Sequence, residues 1–272
     1  MNPHDAILEV AWAAGQLYLR NRSAALCFEY APNDIEGGSA VCVDVAGRLF
    51  IATAAHNFDR LGAGVNWSIF AANRSSDHRL TILQANYRVP RRNDEPDVAW
   101  LEIDPQSARD SELIGVPLED LLLYPTLYPG ELYLATGFPA SLTQVSPQDP
   151  QGHREITIPF GIYFTTVLDE ASAANAGGLI VLDYQSKGLD INGHLVEVEP
   201  HGMSGGGVWY SPKQEVGPRK VWNPGRLKLL SLSKAYLRQQ HQITSEPMHI
   251  WLEILRNDLP ELRDAIDPLL HN

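Results

Sequence analysis

Six residues, Gly202-Met203-Ser204-Gly205-Gly206-Gly207, constrain this chain more than any other stretch, and the apolar run Val208-Trp209-Tyr210 follows them directly. Four glycines around one serine allow backbone angles that a side chain forbids. A turn of this kind lifts a hydroxyl clear of the fold and lets successive backbone N–H groups converge on one small space. Acyl transfer needs both, an exposed nucleophile and donors aimed where an oxyanion forms. A glycine-rich loop at a strand edge fits the same six residues, so partners elsewhere in the chain have to decide.

A serine hydroxyl is a weak nucleophile on its own. It needs a base, and the base needs an orienting group. Thr53-Ala54-Ala55-His56 ends the apolar run Leu49-Phe50-Ile51-Ala52, which sets His56 where a strand leaves the core. Asp97 opens a second apolar strand, Val98-Ala99-Trp100-Leu101, with a carboxylate at its mouth. Asp94 and Asp104 are rivals for that part, but neither immediately opens the strand. A single histidine beside an apolar strand is usually structural, and an aspartate at a strand start is a common turn residue. His194 and His201, near the glycine turn, read as loop or pocket-wall residues rather than as a second base.

Taken together, the three stretches resemble the trypsin-like (chymotrypsin-fold) serine peptidases, of a non-secreted, bacterial type. The family's T-A-A-H stands at Thr53–His56, its D-[IV]-A-x-L at Asp97–Leu101 and its G-x-S-G-G at Gly202–Gly206, in the family's order. The resemblance runs from Ser39 to Tyr236 and is close only around the motifs. It implies an all-β fold of two antiparallel six-stranded β-barrels and a serine endopeptidase acting through an acyl-enzyme. Ser204 would be the nucleophile, His56 the general base and Asp97 its orienting partner. The backbone N–H groups of Gly202 and Ser204 would form the oxyanion hole. Val198, His201 and Ser233 would contact a protein or peptide substrate. A catalytically silent binding module with the same fold, and an esterase or amidase on the same three residues, remain open beside this reading.

Three places depart from the family, one of them the substrate-binding edge, where Ser231-Leu232-Ser233-Lys234-Ala235 stands in place of the family's S-W-G. Met203 stands where zymogen-type members carry an aspartate that pairs with a freshly cut N-terminus, so activation by trimming is not expected. Control is left to substrate selectivity, to a regulatory protein partner, or to rotation of the Gly202-Met203-Ser204 backbone, biased by the loops Ala171–Gly178 and Ser211–Arg226. Asn57 stands where many animal relatives have a disulfide cysteine. Cys27 and Cys42 lie in apolar runs and read as buried free thiols, with a bridge between them left open.

A formal net charge of −12 over 272 residues argues against a nucleic-acid partner, since an acidic surface repels phosphates. No run approaches the length of a membrane span, and no membrane partner is expected. The apolar stretch after Asp5 has no basic residue before it, unlike a secretory leader, which points to a cytoplasmic protein. No CxxC or HxxxH pattern appears, and neither a metal nor a cofactor is expected.

The chain divides into an N-terminal helical segment (1–24), a first barrel with His56 and Asp97 (25–115), a linker and second barrel with Ser204 (116–244), and C-terminal helices (245–272). Strands are expected at Ala25–Tyr30, Ser39–Val45, Arg48–Thr53, Asn66–Phe70, Thr81–Tyr87 and Val98–Ile103. A second set is expected at Glu131–Thr136, Glu155–Val167, Leu179–Tyr184, Leu195–Val198, Val208–Tyr210 and Leu227–Tyr236. Ser245 reads as the N-cap of a helix with Pro247 in its first turn.

Overall fold

The computed structural model describes residues 15–31, 34–61, 65–72, 80–83, 91–93, 96–127, 131–146, 156–165, 178–184, 187–189, 195–197, 199–212 and 223–271. Strands β1 (Ser23–Ala31), β2 (Asp34–Val45), β3 (Arg48–Thr53), β4 (Asn66–Ala72), β5 (Leu80–Leu83), β6 (Arg91–Asn93), β7 (Val98–Glu102) and β8 (Val116–Pro117) form one sheet. Its order is β5-β4-β1-β2-β3-β7-β6, with β8 beside β2. Every pair is antiparallel except β2 with β8. The β2–β3 hairpin turns at Ala46 and Gly47, whose positive φ values of 55° and 81° match the twist of the flanking strands.

The second sheet holds β9 (Leu132–Gly137) and, beyond the short separate pair β10 (Gln144–Val145) and β11 (Ile156–Thr157), β12 (Gly161–Thr165) and β13 (Ile180–Asp183). It continues with β14 (Lys187–Leu189), β15 (Leu195–Glu197), β16 (Gly207–Ser211), β17 (Lys228–Leu237) and β18 (Gln242–Pro247). The antiparallel order is β13-β18-β17-β16-β9-β12-β14-β15. The six strands expected in each half are present, and each sheet gains two more, β6 and β8 in the first, β14 and β18 in the second. The additions are short or polar, so the sequence shows no apolar run for them. Among the described residues the pairings of each sheet trace an open path.

Alternation along the strands feeds two cores at once. Val41, Val43 and Phe50 point to one side, where they meet Leu134, Trp209 and Leu229 of the second sheet. Ala40, Cys42 and Ile51 point to the other, against Leu26, Phe28 and Ile69 of the same sheet. The helix Met248–Asp258 inserts Met248, Trp251, Leu252 and Leu255 into the shared core. Two indoles fix it to β7. Trp251 Nε1 donates to the Ala99 carbonyl at 3.2 Å, and Trp100 Nε1 donates to Asp258 Oδ2 at 2.8 Å. Ser245 is not the cap of this helix. It lies inside β18 opposite Ser233, and the helix starts after Pro247.

Residues 15–20 are helical, and the rest of the expected N-terminal helix lies outside the described residues. A short helix, Pro105–Asp110, opens the segment after the first sheet, with Asp104 accepting the Ser107 N–H as its cap. Cys27 and Cys42 are free and buried. Among the described residues no helix is long and apolar enough to cross a membrane.

Because Leu252 is fully buried in the core that both sheets share, Leu252→Ala should cost about 2–5 kcal/mol. Urea unfolding should show a lower midpoint and one transition common to fluorescence and circular dichroism.

Candidate active site

The pairing of β3 with β7 builds the first half of the site. Thr53 lies opposite Ala99, and the strands are antiparallel, so the residues just after β3 and just before β7 share one end. His56 sits in the single helical turn Ala55–Phe58 that follows β3, and Asp97 directly precedes β7. The Asp97 carboxylate receives two hydrogen bonds from one residue. Oδ1 accepts the His56 backbone N–H at 2.9 Å, and Oδ2 lies 2.7 Å from His56 Nδ1. Asp97 is buried and His56 half-exposed.

Burial works to push the Asp97 carboxyl up. The hydrogen bonds and charge of His56, with the positive charge of Lys234, outweigh it and hold the group below the usual carboxylate range. An ionised Asp97 accepts from Nδ1–H, which leaves Nε2 of the imidazole as the acceptor facing the cleft.

The second half is the glycine turn. Gly202 and Gly205 have φ of 90° and 84°. A methyl at Gly202 would fall 2.6 Å from the Ala140 nitrogen, and one at Gly205 would fall 2.0 Å from Thr53 Oγ1. Both sites therefore require glycine for conformation and for space. Three carbonyls of the turn are pinned on the protein side. His201 O accepts from Ala140 N at 2.7 Å and Met203 O from Gly206 N at 2.9 Å. Gly202 O accepts from Ser39 Oγ at 2.7 Å. In a trans peptide the C=O and N–H point in opposite directions. Pinning the carbonyls of His201 and Met203 thus turns the N–H groups of Gly202 and Ser204 the other way, and neither has a hydrogen-bond acceptor among the described residues.

Ser204, His56 and Gly202 line one cleft of about 640 Å³, together with Phe28, Tyr30 and Tyr236. The Ser204 hydroxyl donates to the Lys234 carbonyl at 3.1 Å. The serine carbonyl accepts from Ser39 N and from Asn57 Nδ2, each at 2.9 Å. Met203 is buried beside Ala135, Tyr163, Tyr184 and Ile243.

The three residues expected to touch substrate fare differently. His201 is exposed on the cleft wall. Val198 lies outside the described residues. Ser233 is buried, and its backbone is spent on the turn, donating to Gly206 O at 2.8 Å and accepting from Gly205 N at 2.7 Å. It braces the serine from behind, and the exposed course of β17 begins only after Lys234. Glu199 is exposed and pairs with Arg238. Among the loops expected to bias the turn, residues 171–177 and 213–222 lie outside the described residues.

Sequence reading missed four residues that shape the site: Ser39, Lys234 and Glu246 altogether, and Asn57 as more than a neighbour of His56. Ser39 and Glu246 carry no signal, since each is a polar residue inside a strand. Lys234 lies beside Ser233 and was legible only as an exposed-looking charge. Among the described residues no group of three or more His, Cys, Asp or Glu side chains is placed to hold a metal ion.

No protein-family model and no curated protein sequence matches the chain. Among solved structures it is similar to the HtrA-type protease AlgW with tripeptide, at 19% identity, with a TM-score of 0.49 over 90% of this chain and 62% of that one. A variant of AlgW with tripeptide gives 18% identity, a TM-score of 0.49 and the same coverage, 90% and 62%. The serine endoprotease from Yersinia pestis gives 14% identity and a TM-score of 0.47 over 90% of this chain and 65% of that one. The chain thus spans less than two thirds of the length of each of these structures.

Two outcomes follow from the geometry. Ser39 Oγ donates to Gly202 O and accepts from Phe138 N in a fully buried position. Ser39→Ala leaves both groups unmatched and should lower the unfolding free energy by about 1–3 kcal/mol. Ser141→Ala, at an exposed hydroxyl, should stay within about 0.5 kcal/mol. Denaturant titration of both variants checks this. The second outcome concerns acid. A carboxyl held low in the fold stabilises above its unfolded value and loses that contribution as pH falls through its folded value. Asp97→Asn should therefore flatten the acid arm of the stability profile, read as urea midpoints from neutral pH down to about pH 3.

Proposed function

We propose that the chain is a serine endopeptidase of the trypsin-like kind, with its two sheets as a pair of barrels and the working groups in the cleft between them. One observation carries the reading. The Asp97-bound imidazole of His56 and the hydroxyl of Ser204 share a cleft with two backbone N–H groups that have no acceptor among the described residues. His56 Nε2 takes the proton of Ser204 as Oγ attacks the substrate carbonyl. The developing oxyanion is received by the N–H groups of Gly202 and Ser204, where one donor is worth about 2.7–4 kcal/mol in the transition state. The imidazolium, stabilised by Asp97, then gives its proton to the leaving amine. Water repeats the sequence on the acyl-enzyme. Before attack the serine hydroxyl must leave the Lys234 carbonyl for His56.

The engagement of Ser204 by Lys234 is what favours the second reading, a binding module that holds a peptide in the same cleft without cutting it. An esterase or amidase would use the same atoms. A fluorophosphonate probe separates the module from the enzymes. The native chain should be labelled at Ser204, and Ser204→Ala should not be labelled at all. His56→Ala should label about 10²–10⁴-fold more slowly through loss of the general base, and labelling of the native chain should fall in acid. No labelling of the folded native chain overturns the peptidase reading. Digestion of a peptide library then distinguishes a peptidase from an esterase.

A further inference from the structure

A charged pair stands behind Asp97 that the chemistry above does not use. In the β17–β18 ladder Ser233 pairs with Ser245 and Ala235 with Thr244. Lys234 therefore falls at a bulge, where the register of the ladder shifts. Bulges re-aim side chains and recur beside active sites. Here the bulged lysine sends its ammonium to Glu246 Oε1 at 2.8 Å. Glu246 is buried, and the same oxygen accepts the backbone N–H of Asp97 at 3.3 Å. The backbone carbonyl of Lys234 meanwhile holds the Ser204 hydroxyl. One residue of the second sheet thus holds the serine directly and reaches Asp97 through Glu246.

Resting on the peptidase reading, we propose that Lys234 and Glu246 are positioning residues, an ion pair that docks the second sheet on the Asp97 backbone and sets the charge that Asp97 and His56 experience. Glu246 fixes where Asp97 sits, and Lys234 balances the carboxylates. Without the lysine, two carboxylates would stand behind one imidazole. Without the glutamate, an unopposed ammonium would stand there instead. A carboxylate buried this deeply is retained at a cost unless it is paired, and an apolar residue would fill the place as well if packing were the sole requirement.

Other charged and titratable groups face the cleft around His56. Glu36, Asp59 and Arg60 line it from the first sheet and the turn after His56, and Glu199, His201, Tyr236 and Arg238 line it from the second. Several are already matched, Arg60 with Asp34 and Glu36, and Arg238 with Glu199. The charges that bear on Asp97 are those of His56 and Lys234.

The test reads the ionisation of His56 in two ways, from the pH dependence of fluorophosphonate labelling and from NMR titration of the His56 ring signal, assigned by its absence in His56→Ala. Glu246→Gln keeps an acceptor for the Asp97 N–H and frees the lysine charge. Its acid limb and ring titration should move down by roughly 0.5–1 pH unit. Lys234→Met/Glu246→Gln, which removes both charges at similar size, should move back up by a comparable amount. Lys234→Arg should titrate like the native chain. A structural brace alone would change midpoints of unfolding and leave all the limbs together, and that result overturns the proposal. If Glu246→Gln does not fold, Lys234→Met against Lys234→Arg decides in the same way, since the unopposed Glu246 carboxylate should move its titration up by a similar amount. A native chain that is never labelled at Ser204 removes the peptidase reading and this inference with it. A labelled native chain with coincident limbs removes only this one.

Discussion

The glycine turn has no space of its own. It exists because the backbone of one sheet lies directly against that of the other. A methyl on Gly205 would fall 2.2 Å from the Ser39 carbonyl oxygen of the first sheet, while one on Gly206 would fall 1.9 Å from the Thr136 carbonyl oxygen within the second sheet. Ser39 is the joint. Its N–H goes to Ser204 O, its hydroxyl to Gly202 O, and its own carbonyl accepts the Thr53 hydroxyl. His56 and Asp97 are carried wholly by the first sheet and Ser204 by the second. Much of what brings them to one cleft passes through this joint and through the apolar core behind it.

The parts of the fold that were legible in the sequence are those with strong local character. The runs around Val41, Ile51, Trp100 and Val208 are apolar on alternate or successive residues and form strands where expected. The Ala46-Gly47 hairpin and the glycine turn announce themselves through backbone requirements. The nearness of His56 and Asp97 was readable only through the motifs, because it arises from pairing between strands far apart in sequence. Ser245 misled because Ser-Glu-Pro is a good helix start in isolation. Its hydroxyl instead accepts from Ser231 and donates to the Ile180 carbonyl inside the sheet, a tertiary preference that local chemistry does not display. Asp104 was weighed only as a rival carboxylate, and it caps a short helix instead. Ser233 is buried with its backbone spent on the turn, and the register of β17 shifts directly after it.

Met203 shows how one constraint can be met by different physics. Its side chain lies in an apolar cluster with Tyr163 and Tyr184, and burial pushes both phenols up, away from ionisation. Apolar burial is strong but has no direction. Direction comes from the main chain, where Met203 N donates to Pro200 O and Met203 O accepts from Gly206 N. The turn is thus weighted by its side chain and aimed by its backbone, with no charge involved.

The helix Met248–Asp258 grips β7 through two indole hydrogen bonds that span 152 and 158 residues of sequence. β7 is the strand that Asp97 opens, so this grip fixes one wall of the cleft. A chain emerging from a ribosome has the first sheet complete long before the helix that clamps it exists. Contacts of such long range close late. The cleft is therefore assembled only after both sheets have been made, and the order of synthesis itself keeps Ser204 and His56 apart while neighbouring chain is still unfolded.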